Sequence, residues 1–155
     1  GFERRTGATL LPDPCVATLY GERVLLTHGD LLCTGDHAYQ ELRSTVRSDA
    51  FRERALALPL EARQLLAAAA RAGSKAHTAT QRAEIMDVAP EAVVAAFRAT
   101  GTRTMIHGHT HRPAEHTHEV DGAPARLLVL DAWYEHGSVL MLDGSGFSRR
   151  EIAFA

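Results

Sequence analysis

The hydrophobic pattern of this chain changes character twice. Cys15 to Tyr20 and Arg23 to Thr27 are strand-like apolar runs on either side of Gly21-Glu22, which predicts a β-hairpin with a two-residue, glycine-first turn. From about residue 36 to 84 the strand signal disappears. Alanine, leucine, arginine and glutamate dominate there, Pro59 breaks the stretch between two helical runs, and Ala67 to Ala70 adds strong helix propensity. Pro90-Glu91 then opens another helix, with Val93, Val94 and Phe97 at core spacing and Gly101 as its stop. Thr104-Met105-Ile106 reads as the end of a short buried strand. After Pro113 the pattern is strand-like throughout: His116 to Val120, Arg126 to Leu130, Ser138 to Leu142 and Phe147 to Phe154 are separated by Asp121-Gly122 and Asp143-Gly144, which predicts an antiparallel meander.

A helix leading into a buried strand suits a layered α/β domain, and the helical stretch reads as a cap inserted into it. Within that stretch Leu56, Leu60, Leu65 and Leu66 form an apolar stripe, either ordinary core or the wall of a groove for a lipid chain; periodicity alone favours core. With 45% hydrophobic and 23% charged residues the composition is that of a globular domain, and a net charge of −2 argues against nonspecific nucleic-acid binding. Cys15 and Cys33 lack metal-knuckle spacing, so reduced thiols in a cytoplasmic protein are expected. No apolar run approaches the roughly 20 residues of a spanning helix. Any membrane contact is therefore expected to be peripheral.

Chemistry concentrates where strands end. In Ile106 to Pro113, Gly108 lets the backbone turn closely, and alternation in an extended segment aims His109 and His111 at one point. Neutral imidazole is the commonest protein metal ligand, so a metal site is one reading and a histidine-rich surface loop the other. The Arg23 to Thr27 strand ends similarly in His28-Gly29-Asp30. Asp30 reads either as a carboxylate bracing a histidine N–H or as a turn cap. His107 shares the face of His109 but reads as structural or as support for a ligand in preference to a third ligand, His116 and His118 as an exposed pair, and His37, His77 and His136 as surface or substrate-proximal residues.

The strand-His-Gly-Asp and downstream Gly-His-x-His segments resemble the C-terminal half of the metal-ligand pattern of the calcineurin-like metallophosphoesterases. Thr9 to Pro12, Leu19 to Gly21, His28 to Thr34, Ala57 to Leu60, Ile85 to Val88 and Ile106 to Pro113 extend the likeness, in order and spacing, to the family of diphosphatases acting on UDP-2,3-diacylglucosamine in lipid A biosynthesis. That resemblance implies the C-terminal part of an α/β/β/α sandwich, with core segments 1–35 and 85–155 and a helical cap at 36–84 that encloses acyl chains. The family's N-terminal Asp-x-His, Gly-Asp and Gly-Asn-x-Asp motifs do not occur before His28. A fragment carrying part of a binuclear site, inactive alone and with an open edge beside residues 23–27, is the expectation.

By the same resemblance His28 and His109 bind one manganese ion and His111 the other, with His109 also beside the phosphate and acting catalytically. Two such ions, roughly 3.5–4 Å apart, polarise a phosphoryl oxygen and stabilise the leaving oxygen. Asp36, Ser74, Thr78 and Gln81 are implied contacts to the nucleotide-lipid substrate, although relatives commonly carry asparagine and lysine where this chain has Thr78 and Gln81. Tyr39 and Arg71 are weaker candidates, and Lys75 or Arg82 is available to replace the absent lysine's charge. Asp131 stands where a glycine is expected. The implied activity is metal-dependent cleavage to UMP and 2,3-diacylglucosamine 1-phosphate at the cytoplasmic face of the inner membrane. Another calcineurin-like phosphoesterase, or a noncatalytic truncated metal-binding module, are the alternatives.

Overall fold

The computed structural model describes residues 1–80 and 86–154, without the side chains of 77–80. Two compact units divide the chain: Gly1–Leu32 together with Pro90–Ala155, and Cys33–Ala89.

The first unit is built on a five-stranded sheet. A short helix α1 (Phe2–Thr6) precedes β1 (Cys15–Leu19) and β2 (Glu22–Thr27), which form the expected hairpin. Its turn differs by one residue from the sequence reading. Leu19 pairs with Glu22, so the turn residues are Tyr20 and Gly21, at φ 49° and 83°. Positive φ at both positions matches the twist of the flanking strands, and the hairpin accepts a tyrosine there to obtain it.

Within the second unit, α2 (His37–Val46), α3 (Asp49–Ala57) and α4 (Leu60–Thr80) give three helices instead of the two helical runs read from Pro59. Ser48 accepts the Phe51 N–H and caps α3, a start signal obscured by the even composition. Leu58, held extended ahead of Pro59, ends it. The core reading of the leucine stripe does not hold: Leu56, Leu60, Leu65 and Leu66 are all exposed, Leu65 by 74%.

Back in the first unit, α5 (Pro90–Thr100) leads to β3 (Thr104–His107), β4 (Ala114–Val120), β5 (Ala123–Val129), β6 (His136–Asp143) and β7 (Gly146–Ala153). The sheet order is β1-β2-β3-β5-β4, with β2, β3 and β5 parallel and the outer strands antiparallel. Strand β2 is therefore paired on both sides, correcting the expectation of an open edge beside residues 23–27. The expected meander also divides: β4 and β5 join the main sheet, while β6 and β7 form a separate two-stranded sheet. Alternation predicts strands but not partners, and β5 satisfies its inner edge against β3.

Val24, Leu25, Met105, Leu127, Leu128 and Val129 are buried, and consecutive buried residues mean that both faces of the central strands are covered. Val93 and Phe97 of α5 belong to this core. Arg23 Nη2 donates to the Thr100 carbonyl at 3.0 Å, a cation on the electronegative end of α5, and Arg98 pairs with Asp121 at 2.9 Å. The β6–β7 hairpin is tied to β5 through Arg149, which donates to the Val129 carbonyl at 2.7 Å.

Candidate metal centre at two strand ends

Parallel pairing decides where the histidines fall. Thr27 is in register with His107, so β2 and β3 end side by side, and the ladder runs one step further as Gly108 N–H donates to the His28 carbonyl at 3.1 Å. The chains then diverge into the two histidine corners. The imidazoles of His28 and His109 stand with centroids 4.9 Å apart and planes tilted by 60°. His109 and His111 have φ of 66° and 54°, unusual for residues with side chains, and Thr110 N–H donates back to the Gly108 carbonyl at 2.7 Å. A tight turn, not an extended segment, thus presents these two histidines.

Each imidazole has a distinct environment. His28 Nδ1 lies 3.2 Å from Oδ1 of the fully buried Asp30, and the same oxygen accepts the Leu31 N–H at 3.0 Å. Both alternatives for Asp30 are thereby realised, as brace and as turn cap. With Nδ1 engaged, His28 offers Nε2. Burial lowers the pKa of His109, and the adjacent His28 lowers it further. The neutral, lone-pair-bearing form of His109 is favoured accordingly. His107 is fully buried; its Nδ1 lies 2.8 Å from the Gly108 carbonyl, which can only accept, so Nδ1 carries the proton. Gly29, at φ 103°, passes so close that an added Cβ would sit 2.6 Å from that nitrogen.

His111 keeps different company. Its Nδ1 is 3.4 Å from the Tyr134 hydroxyl, with the two rings edge to face at 5.5 Å. His111, Asp131, Tyr134, Glu135 and His136 line a cleft of about 270 Å³, where His136 Nε2 lies 3.3 Å from Asp131. Tyr134 was not singled out from sequence, although the adjacent aromatics Trp133-Tyr134 in a loop are a signal in retrospect. Of the lone histidines, His136 joins this cleft; of the pair read as exposed, His118 is half-buried, and burial followed by His116 lowers its pKa.

The donor chemistry fits part of a divalent-metal site. His28 and His109 supply two adjacent imidazoles, one braced by a carboxylate and one held toward neutrality. Among the described residues no group of three or more His, Cys, Asp or Glu side chains has ligating geometry. The Thr110 hydroxyl between His109 and His111 is buried without a hydrogen bond, an open position worth about 1–3 kcal/mol unless another group meets it. In the second unit, Asp36 caps α2 by accepting the Tyr39 N–H at 3.0 Å, and Ser74 is exposed on α4. The side chain of Thr78 and the whole of Gln81 and Arg82 lie outside the described residues.

A mixed sheet with helices, carrying histidine corners at adjacent carboxyl ends, makes this an α/β domain consistent with part of a metallophosphoesterase-like fold. No family model matches the chain. It is 52% identical over 140 residues to the UDP-2,3-diacylglucosamine hydrolase of Aeromonas hydrophila, covering 90% of this chain and 58% of that protein. The protein of the same name from Pseudomonas aeruginosa PAO1 is 50% identical over 145 residues, 94% of this chain and 60% of its own length. For Pseudomonas putida W619 the identity is 45%, covering 100% of this chain and 65% of the relative. The chain is thus similar over nearly all of its residues to UDP-2,3-diacylglucosamine hydrolases, and it spans about 60% of the length of the relatives it matches. No helix among the described residues is long and apolar enough to cross a membrane.

Proposed function

We propose that this chain forms part of a metal-dependent hydrolase that cleaves the pyrophosphate of UDP-2,3-diacylglucosamine, giving UMP and 2,3-diacylglucosamine 1-phosphate in lipid A biosynthesis. The observation that carries the reading is the His28–His109 pair at adjacent strand ends, in a chain this similar to hydrolases of that name. His28 and His109 would hold one manganese ion and His111 the other, each ion drawing its remaining donors from the part of the relatives' length that this chain does not span. When bound, such a pair supplies Lewis acidity for in-line displacement at phosphorus. Asp30 orients His28 for that task, and burial favours the neutral form of His109, which can ligate or contact the phosphate. Asp36, Ser74, Thr78 and Gln81 are assigned to the nucleotide-lipid head. The exposed leucines of α3 and α4 suit its acyl chains, at a membrane surface that the protein meets peripherally from the cytoplasm.

The test replaces the matching segment of the Pseudomonas aeruginosa relative with this chain and follows UMP release from UDP-2,3-diacylglucosamine by phosphorus NMR. Turnover that is lost on chelation, restored by Mn²⁺ and reduced to background by His28→Ala or His109→Ala is expected. Turnover indifferent to chelation and to both substitutions refutes the proposal. A substrate series of decreasing acyl length should lose about 0.8 kcal/mol of binding per buried methylene. Indifference to length would instead favour a phosphoesterase acting on smaller esters.

A further inference from the structure

His28 is fixed at three points. Two lie within the corner itself, its carbonyl on Gly108 N–H and its Nδ1 on Asp30. The third comes from elsewhere: the His28 N–H donates to Asp13 Oδ1 at 3.0 Å, and the same oxygen accepts the Thr27 hydroxyl at 2.7 Å. Register explains why a side chain is needed. The last β1–β2 pair is Cys15 with Leu26, so Thr27 and His28 run past the end of β1 on that side. Backbone donors beyond the ladder need another acceptor. Asp13 stands two residues before Cys15 and supplies it, so that its carboxylate continues the ladder where the β1 backbone stops. Thr27 relays the same anchor, its Oγ1 lying 3.4 Å from Gly29 N.

We propose that Asp13 is a positioning residue for His28, setting the backbone at the strand end and through it the separation of the His28 and His109 rings. The assignment deepens the reading of those two histidines as a ligand pair and rests on it for its bearing on function. A carboxylate that fixes a ligand's backbone acts as other outer partners of metal ligands do, whose loss typically weakens metal affinity roughly ten- to a hundred-fold.

The experiment uses the isotope-labelled 155-residue chain, in which ring-to-ring NOEs report the His28–His109 separation and amide exchange reports the strand end. Asp13→Ala is expected to abolish the ring NOE and to speed exchange at His28 and Gly29 by about ten-fold or more, as a lost hydrogen bond allows. Exchange at Met105 in the neighbouring strand should stay as it was. Asp13→Asn keeps an oxygen acceptor and should preserve both signals, a rescue that a merely structural role for the charge would not give. If Asp13→Ala does not fold, Asp13→Ser, which withdraws the acceptor from reach, is expected to show the same local losses. Retention of the NOE and of slow exchange in the folded Ala or Ser variant overturns the proposal, as does equal disruption by Asn. Mn²⁺ broadening of the His28 and His109 resonances is recorded separately. Its absence in the unsubstituted chain would count against the ligand reading, while the positions are read without metal.

Discussion

Replacing Gly29 by alanine tests the closest approach in the corner. At φ 103° the backbone is in a region that side chains rarely occupy, and the new Cβ would lie 2.6 Å from His107 Nδ1, 3.1 Å from its Cγ and 3.2 Å from the Gly108 carbonyl. The ring cannot swing aside cheaply, being fully buried and bonded to that same carbonyl. Two costs combine: about 1–3 kcal/mol for a side chain in a sparsely populated conformation and about 1–3 kcal/mol for overpacking. A gain of about 0.4–1 kcal/mol from a stiffer unfolded chain offsets part of them. A net loss of about 3 kcal/mol is expected. Gly122 provides the control, since it also has positive φ, 75°, but an added Cβ there meets nothing within 4 Å. Gly122→Ala should cost only about 1 kcal/mol, the conformational part alone. Urea unfolding of both variants, analysed at a common m-value, measures the difference. Equal losses would refute the argument from His107, because the backbone contribution would then account for both.

Phe97→Ala should cost about 3–5 kcal/mol by opening a cavity between α5 and the sheet, measured by the same unfolding assay. Asp36→Ala should lose about 1 kcal/mol of stability and Asp36→Ser little, because either Asp or Ser caps a helix; equal losses would mean that Asp36 acts other than as a cap. The Arg126 hydrogen bonds hold the Glu115 carboxyl below its usual pKa. Its stabilisation is therefore present above the unfolded carboxylate pKa and lost as pH falls through the folded one. Because the pair is exposed, Glu115→Gln should cost less than about 1 kcal/mol at pH 7 and nothing once acid has protonated the carboxyl.

Local chemistry was the legible part of this fold. Pro90, the Val93 and Phe97 spacing and Gly101 bounded α5 because capping and periodicity act over a few residues. The histidine corners were legible too, since glycine after a strand marks a turn whatever the strand pairs with. Partners were not. The apolar run of β5 marks a strand whether it bonds to β4 alone or to β3 as well, and only the three-dimensional register places β6 and β7 in a sheet of their own. The stripe of Leu56, Leu60, Leu65 and Leu66 has helical period whether buried or exposed, so periodicity could not decide it. Asp13 carries no sequence signal at all: its contact with His28 depends on β1 stopping opposite Leu26.

The pairing of β2 with β3 joins Val24 to Thr104, with all of Cys33–Ala89 in the connection. On a ribosome adding roughly 5–20 residues per second, that span separates the emergence of the two strands by about 4–16 s. Throughout that interval the hairpin is complete on its β1 side while Val24 and Leu25 await their cover, a strand edge of the sort that recruits foreign chains. Lengthening the connection is cheap at equilibrium, about 0.6 kcal/mol for each doubling. In time the cost is proportional. Chaperone demand during synthesis, more than the stability of the finished domain, should limit how far the segment between these strands can grow.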